Sequence, residues 1–165
     1  MSATIGTTTY DVEPGSHALQ ITRTFDAPAE ALLRAHTDPE LLVQWLGPRR
    51  LQTRVERLEA YDGGRWRFVQ WGEDGHEHWF HGVFHGDPSV ARGIRQTFEY
   101  EGAPDQVLFQ TLLFEEHDGR TTLRAIAVFP SVEGRDAMIS SGMQEGTEDG
   151  YAKLDELLRR LAAVG

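Results

Sequence analysis

Between Leu51 and Phe129 the chain is punctuated by turn signals at short, regular intervals: Asp62-Gly63-Gly64, Asp74-Gly75, Gly86-Asp87-Pro88, Gly102-Ala103-Pro104-Asp105 and Asp118-Gly119. Asp-Gly between alternating runs is a strong hairpin signal, because both central residues of a type I′ turn need positive φ. The segments so divided predict six successive strands, an antiparallel meander. Alternation sorts the faces. Trp66, Phe68 and Gln70 oppose Arg65 and Arg67, while Ile94, Gln96, Phe98 and Tyr100 oppose Arg95, Thr97 and Glu99. One face is apolar and needs a cover. From Val107 to Glu116 apolar residues fall on both faces, so the inward parity there stays open.

The cover comes last in the chain. Leu154, Leu157, Leu158 and Leu161 stand at i, i+3, i+4 and i+7, a stripe that continues back through Tyr151, Thr147 and Met143. Ser141-Gly142-Met143-Gln144 has the Ser-x-x-Gln form of a capping box opening this helix, which runs to about Ala163; Ser131 to Ile139 reads as a short helical turn before it. The opposite face carries Glu145, Glu148, Asp149, Asp155 and Glu156 and reads as a solvated surface. Ahead of the meander, His17 to Phe25 alternates as a strand. Pro28 opens a helix to about His36, and Thr37-Asp38-Pro39-Glu40 offers a cap and a first-turn proline for a second short helix ending at Gly47-Pro48. The expectation is an α+β fold: a curved antiparallel sheet of about six to seven strands wrapped around a long C-terminal helix, with two short helices after the first strand. Residues 17–163 form one domain behind a flexible tail, residues 1–16.

Composition removes several function classes. A length of 165 residues fits one domain and one full core. The chain has no cysteine, so thiolate-held zinc, iron–sulfur clusters and a cysteine nucleophile are excluded. A net charge of -10 repels a phosphate backbone or an anionic membrane, so neither nucleic acid nor membrane is an expected partner. The longest apolar run, Ala125 to Phe129, is far short of a span, and the polar, Thr-rich start has no signal-peptide pattern; a soluble cytoplasmic protein is expected.

Four motifs occur in order: Phe25-Asp26-Ala27-Pro28; Thr37-Asp38-Pro39-Glu40-Leu41 with Trp45 and Gly47-Pro48; Gly63-Gly64-Arg65-Trp66-Arg67-Phe68; and Gly142-Met143-Gln144-Glu145-Gly146. Together they resemble the SRPBCC proteins of helix-grip (START/Bet v-like) fold, in the group of bacterial homologues of the activator of heat-shock-protein-90 ATPase. The resemblance implies a deep pocket between sheet and long helix, used across the superfamily for lipids, polyketides, hormones and aromatics; a minority of members are enzymes. Where members of the group commonly carry Trp, this chain has His36, Leu46 and Thr147, and where they often carry an acid it has Gly86. If those positions face inward, a larger or more polar cavity follows from the lost ring volume.

The residues expected to line such a cavity are Trp45, Trp66, Phe68, Gln70, Phe80, His81, Phe98, Tyr100, Phe109, Met143, Thr147 and Tyr151. Trp45, Trp66, Phe68, Phe80, Phe98, Tyr100 and Phe109, with Leu113, read first as plain core and second as pocket lining. Ala125 and Ala127, small residues on a strand, leave room for a ligand or for close approach of the helix. His76, His78, His81 and His85 crowd one hairpin, but period-two alternation puts two on each face, half a zinc site at best, so no metal is expected. No cofactor is expected; with Gly-x-Ser-x-Gly, His-Glu-x-x-His, P-loop and dinucleotide motifs absent, nothing identifies a nucleophile. No catalytic residue is assigned, though His81, Glu99 or Asp149 could transfer protons if brought into the cavity. The leading expectation is a protein that holds an apolar or aromatic small molecule without covalent chemistry. The alternatives are a polyketide cyclase-, dehydratase- or hydrolase-like enzyme using the same cavity, and a co-chaperone-like interaction module with a filled interior and a chaperone partner. Self-association as a homodimer, through a sheet edge or the short helices, is compatible with this fold.

Overall fold

The two periodicities of the chain separate into two layers. The computed structural model describes residues 6–164. Its elements are β1 (Thr9–Asp11), β2 (Ala18–Phe25), α1 (Ala29–Thr37), α2 (Pro39–Leu42), β3 (Gln52–Leu58), β4 (Arg65–Trp71), β5 (Glu77–Val83), β6 (Ile94–Tyr100), β7 (Leu108–His117), β8 (Arg120–Val128), α3 (Val132–Ser140) and α4 (Met143–Val164). The strands make one curved sheet in the order β1-β2-β8-β7-β6-β5-β4-β3, every neighbouring pair antiparallel. The meander β3 to β8 thus lies in sequence order, and β2 closes onto β8.

Part of the expected tail is structured. Thr9–Asp11 pairs with Gln20–Thr22 of β2, which makes eight strands instead of six to seven; residues 1–5 of that tail lie outside the described residues. Long-range contacts hold this short strand, and three residues carry too little periodicity to betray it. Tyr10 packs on the cluster of Leu19, Ile21 and Phe129, and its hydroxyl donates to Glu148 at 2.8 Å. The buried Arg135 of α3 donates to the carbonyls of Glu13 (2.7 Å) and Ala18 (3.0 Å), fixing the segment between β1 and β2.

Register settles the parity of β7. Leu108, Gln110 and Leu112 stand opposite the inward residues Phe98, Gln96 and Ile94 of β6. Phe109 and Leu113 therefore point outward, and Phe109 is 36% exposed. Leu108, Leu112 and Phe114 together bury more apolar surface than the alternate set could, which decides the face.

The helix ends follow their local chemistry with one exception. Asp38 accepts from Glu40 N–H at 3.0 Å to cap α2, and Ser131 accepts from Gly134 N–H at 2.9 Å to cap α3. Ser141 does not form the expected capping box. Its hydroxyl donates back to Met138 O at 2.6 Å and closes α3, and Gly142, at φ 89°, turns the chain into α4.

Only half of α4 seats on the sheet. Leu154, Leu157 and Leu158 are buried against Phe25, Leu32, Trp45 and Phe114 in the main core, whereas in the first two turns no large apolar side chain is buried. The acidic face of α4 is less solvated than its composition suggests, because each of its five carboxylates has a partner. Asp155 takes the buried Arg23, Glu148 takes Tyr10, Asp149 and Glu156 take Arg49, and Glu145 takes Arg50.

Gly82 of β5 is a packing requirement. A Cβ there would lie 2.0 Å from Thr97 O and 2.6 Å from the Trp66 ring. The main-chain oxygen cannot swing away, so Gly82→Ala is expected to destabilise the fold by about 1–3 kcal/mol, read as a lower urea midpoint.

Candidate functional site

Because the leucines end at Leu154, the first turns of α4 roof a space rather than fill a core. A cavity of about 620 Å³ opens there. Its floor follows the strand register in rows: Val55, Phe68, Phe80 and Tyr100; then Trp66, Gly82, Phe98 and Leu108; then Phe84, Gln96, Gln110, Ala127 and Leu19; then Ile94, Leu112, Ala125 and Ile21. Met143, Gly146, Thr147, Gly150 and Tyr151 of α4 face this floor, and His36, Leu42, Trp45, Leu46 and Pro48 complete the wall. Stacked and tilted rings make one continuous aromatic surface: Trp66–Phe68 (5.4 Å), Phe68–Phe80 (4.9 Å) and Phe80–Phe98 (5.5 Å between centroids). Gly47, at φ 89°, lets the turn after α2 pass over Gln70, whose Nε2 would lie 2.2 Å from any Cβ there.

Of the twelve residues expected to line the cavity, Trp45, Trp66, Phe68, Gln70, Phe80, Phe98, Tyr100, Met143, Thr147 and Tyr151 do so, and His81 and Phe109 do not. Phe109 lies on the outer face beside His85, for the register reason given above. His81 is also outward, because its neighbours Phe80 and Gly82 take the inward positions. It sits 3.0 Å from Glu101 and 3.5 Å from Glu99, in a surface network with Arg67. Hydrogen bonds from Arg67 hold the Glu101 carboxyl down to about 2. Asp149 faces Arg49 on the exposed side, so none of the groups considered for proton transfer enters the cavity. Sequence reasoning missed Gln110 and Leu108, which the ambiguous parity of β7 concealed.

His36, Leu46 and Thr147 all face the cavity, which places three of the exchanged positions on its wall. Charged Arg50, Arg57, Arg67 and Glu145 border the space, and the neutral polar groups on its wall are mostly committed. Gln96 donates to Gln110 at 2.8 Å, His78 Nδ1 lies 2.9 Å from the Tyr100 hydroxyl, and Gln70 donates to Thr53 at 3.3 Å. Trp45 Nε1 donates to Ala35 O at 3.0 Å, whereas Trp66 Nε1 is buried without a partner. Burial pushes the Tyr151 phenol up to about 12, so it stays protonated. Among the described residues no group of three metal-ligating side chains occurs, and no helix is long and apolar enough to cross a membrane.

A curved antiparallel sheet gripping one long C-terminal helix, with a cavity between them, defines the helix-grip class, the ligand-binding architecture of START-like SRPBCC proteins. Residues 26–159 match the family model described as activator of Hsp90 ATPase homolog 1-like protein, and the chain belongs to that family. No curated protein matches it. Among solved structures it is similar to a protein from Rhodobacter sphaeroides, with 28% identity and a TM-score of 0.81 over 93% of this chain and 99% of that one. An Arthrobacter aurescens protein solved by NMR superposes with a TM-score of 0.83 at 24% identity, covering 92% of this chain and 91% of that one. Protein Ms6760 from Mycobacterium smegmatis gives 0.81 at 22% identity, covering 91% and 95% respectively. The latter two likenesses bear on the fold alone.

His36 makes the site sensitive to acid. Burial lowers its imidazole to about 4, against an ordinary value of about 6.5. The unfolded chain therefore takes up this proton first on acidification, and the stability tied to the neutral ring is complete above about pH 6.5 and lost as pH falls toward 4. Wild type should lose about 2–3 kcal/mol more than His36→Phe between pH 7 and 4.5, measured from urea midpoints at each pH.

Proposed function

We propose that the protein binds an apolar or aromatic small molecule between its sheet and the first turns of α4, without covalent chemistry. The observation that carries this reading is the aromatic-walled cavity of about 620 Å³, a volume within the roughly 300–1,000 Å³ of small-molecule sites. Its composition supports the same reading, since apolar walls with a few placed polar groups are what such sites use to bury and orient a ligand. The small Ala125 and Ala127 keep floor space open where bulkier strand residues would fill it. The co-chaperone reading requires a filled interior, and the enzymatic reading from the sequence placed its acid or base at His81, Glu99 or Asp149. His81, Glu99 and Asp149 lie elsewhere, so neither alternative gains support from these observations.

Native mass spectrometry of freshly purified protein, set beside its denatured mass, should reveal a retained molecule of a few hundred daltons, on the order of a drug-sized ligand. Ala127→Phe should abolish that retained mass while keeping the fold by circular dichroism. An unliganded wild-type spectrum, together with no thermal shift from any of a panel of apolar aromatics, would count against the reading, because a ligand bound only by the native state must raise its melting temperature.

A further inference from the structure

The His36 imidazole, like the hydroxyls of Thr147 and Tyr151, is on the cavity wall and neither committed nor sealed, and it alone of the three is a pure acceptor. His36 Nδ1 stands 2.7 Å from Leu32 O on the preceding turn of α1. A carbonyl oxygen only accepts, so Nδ1 carries the ring proton. In the neutral imidazole Nε2 is then a lone pair, an acceptor and nothing else. No donor among the described residues reaches it, and unlike Trp66 Nε1 it is not among the sealed polar atoms. The ring lies deep in the protein yet keeps accessible surface, and that surface is cavity wall. The ring meets Trp45 (4.8 Å) and Phe114 (5.6 Å between centroids) in T-shaped contacts, which hold its direction.

An orphan acceptor in an apolar wall costs desolvation unless the occupant supplies a donor. We infer that His36 is a specificity-determining residue of this cavity, accepting a hydrogen bond through Nε2 from a hydroxyl or N–H group on an aromatic ligand. The assignment rests on the ligand-binding reading above and narrows it to ligands that carry a donor. A ligand with only a carbonyl or ether oxygen at this position sets lone pair against lone pair and is disfavoured. The glutamine pair complements this pole. Whichever way the two amides are turned, Gln96 and Gln110 satisfy one donor and one acceptor between them and leave one of each for the occupant.

The test compares three probes, naphthalene, 2-naphthol and 2-methoxynaphthalene, by fluorescence titration on wild type and His36→Phe. The Phe ring retains the packing against Trp45 and Phe114. Wild type should bind 2-naphthol about tenfold more tightly than 2-methoxynaphthalene, and His36→Phe should erase that preference while still binding naphthalene. A preference that is absent in wild type, or that survives in His36→Phe, overturns the role of His36 and leaves the cavity reading standing. If none of the three probes binds wild type, the cavity reading falls and this assignment falls with it. A second measurement needs no variant. In protein with ¹⁵N-labelled histidine, free His36 should show a protonated Nδ1 and an unprotonated Nε2, with the Nε2 resonance moving on addition of 2-naphthol; an Nε2–H tautomer in the free protein overturns the assignment.

Discussion

Everything distinctive about this molecule depends on where the leucine stripe of α4 stops. Leu154, Leu157 and Leu158 drive the second half of the helix into the core formed by α1, α2 and the β2–β8–β7 side of the sheet. Burying three leucines supplies several kcal/mol by the usual area argument and fixes the helix axis against the sheet. Ahead of them the helical face changes to Gly150, Thr147 and Gly146, too small to reach the strands, while Tyr151 packs on Phe25 and Met143 on the cluster of Leu19, Ile21 and Phe129 at the margin of the space. The sheet meanwhile keeps curving under them, and the gap between a straight helix and a curved floor becomes the cavity. Polar contacts from the turn after α2 tether the unseated turns: the Arg50 guanidinium pairs with Glu145, and the Arg49 backbone N–H donates to Asp149.

The interior handles polarity with economy. The amides on its wall are paired, Gln96 with Gln110 and Gln70 with Thr53, so that their desolvation is offset within the protein. His36 follows a different rule, bonding its own helix through one nitrogen and leaving the other open. The resemblance implies a tryptophan at that position, and an indole has no lone-pair acceptor to offer. The exchange to His36 therefore changes the kind of hydrogen bond the wall can make, as well as the volume it encloses.

Most of the architecture was legible because it is written locally. Asp-Gly turns mark the hairpins, strict alternation marks the inward face of β4 and β6, and the 3-4 spacing of leucines marks α4. Legibility failed where the deciding contact is distant in the chain. Thr9–Asp11 is too short to show a period; it pairs with β2, and the anchors that fix it there, Glu148 on Tyr10 and Arg135 on the Glu13 carbonyl, lie more than a hundred residues away. On β7 two apolar sets alternate, and the register against β6, invisible in the sequence, selects one of them. His81 was misplaced for a related reason: its neighbours Phe80 and Gly82 are better suited to the inside, and parity allows no exception. Ser141 had the right neighbours for a cap and was claimed instead by the helix before it.

The division of α4 has a bearing on how such a protein can change over time. A helix that seats along its whole length ties every position on its inner face to stability, so nearly every substitution there is penalised. Here the penalty is concentrated in the last turns. Thr147 lines the cavity and belongs to neither packed cluster, so a lineage can exchange the side chain there freely, and at 143 and 151 with local repacking, while the leucines keep the fold above its threshold. One scaffold can then diversify what it holds through a handful of wall positions, with the hold on the helix inherited intact.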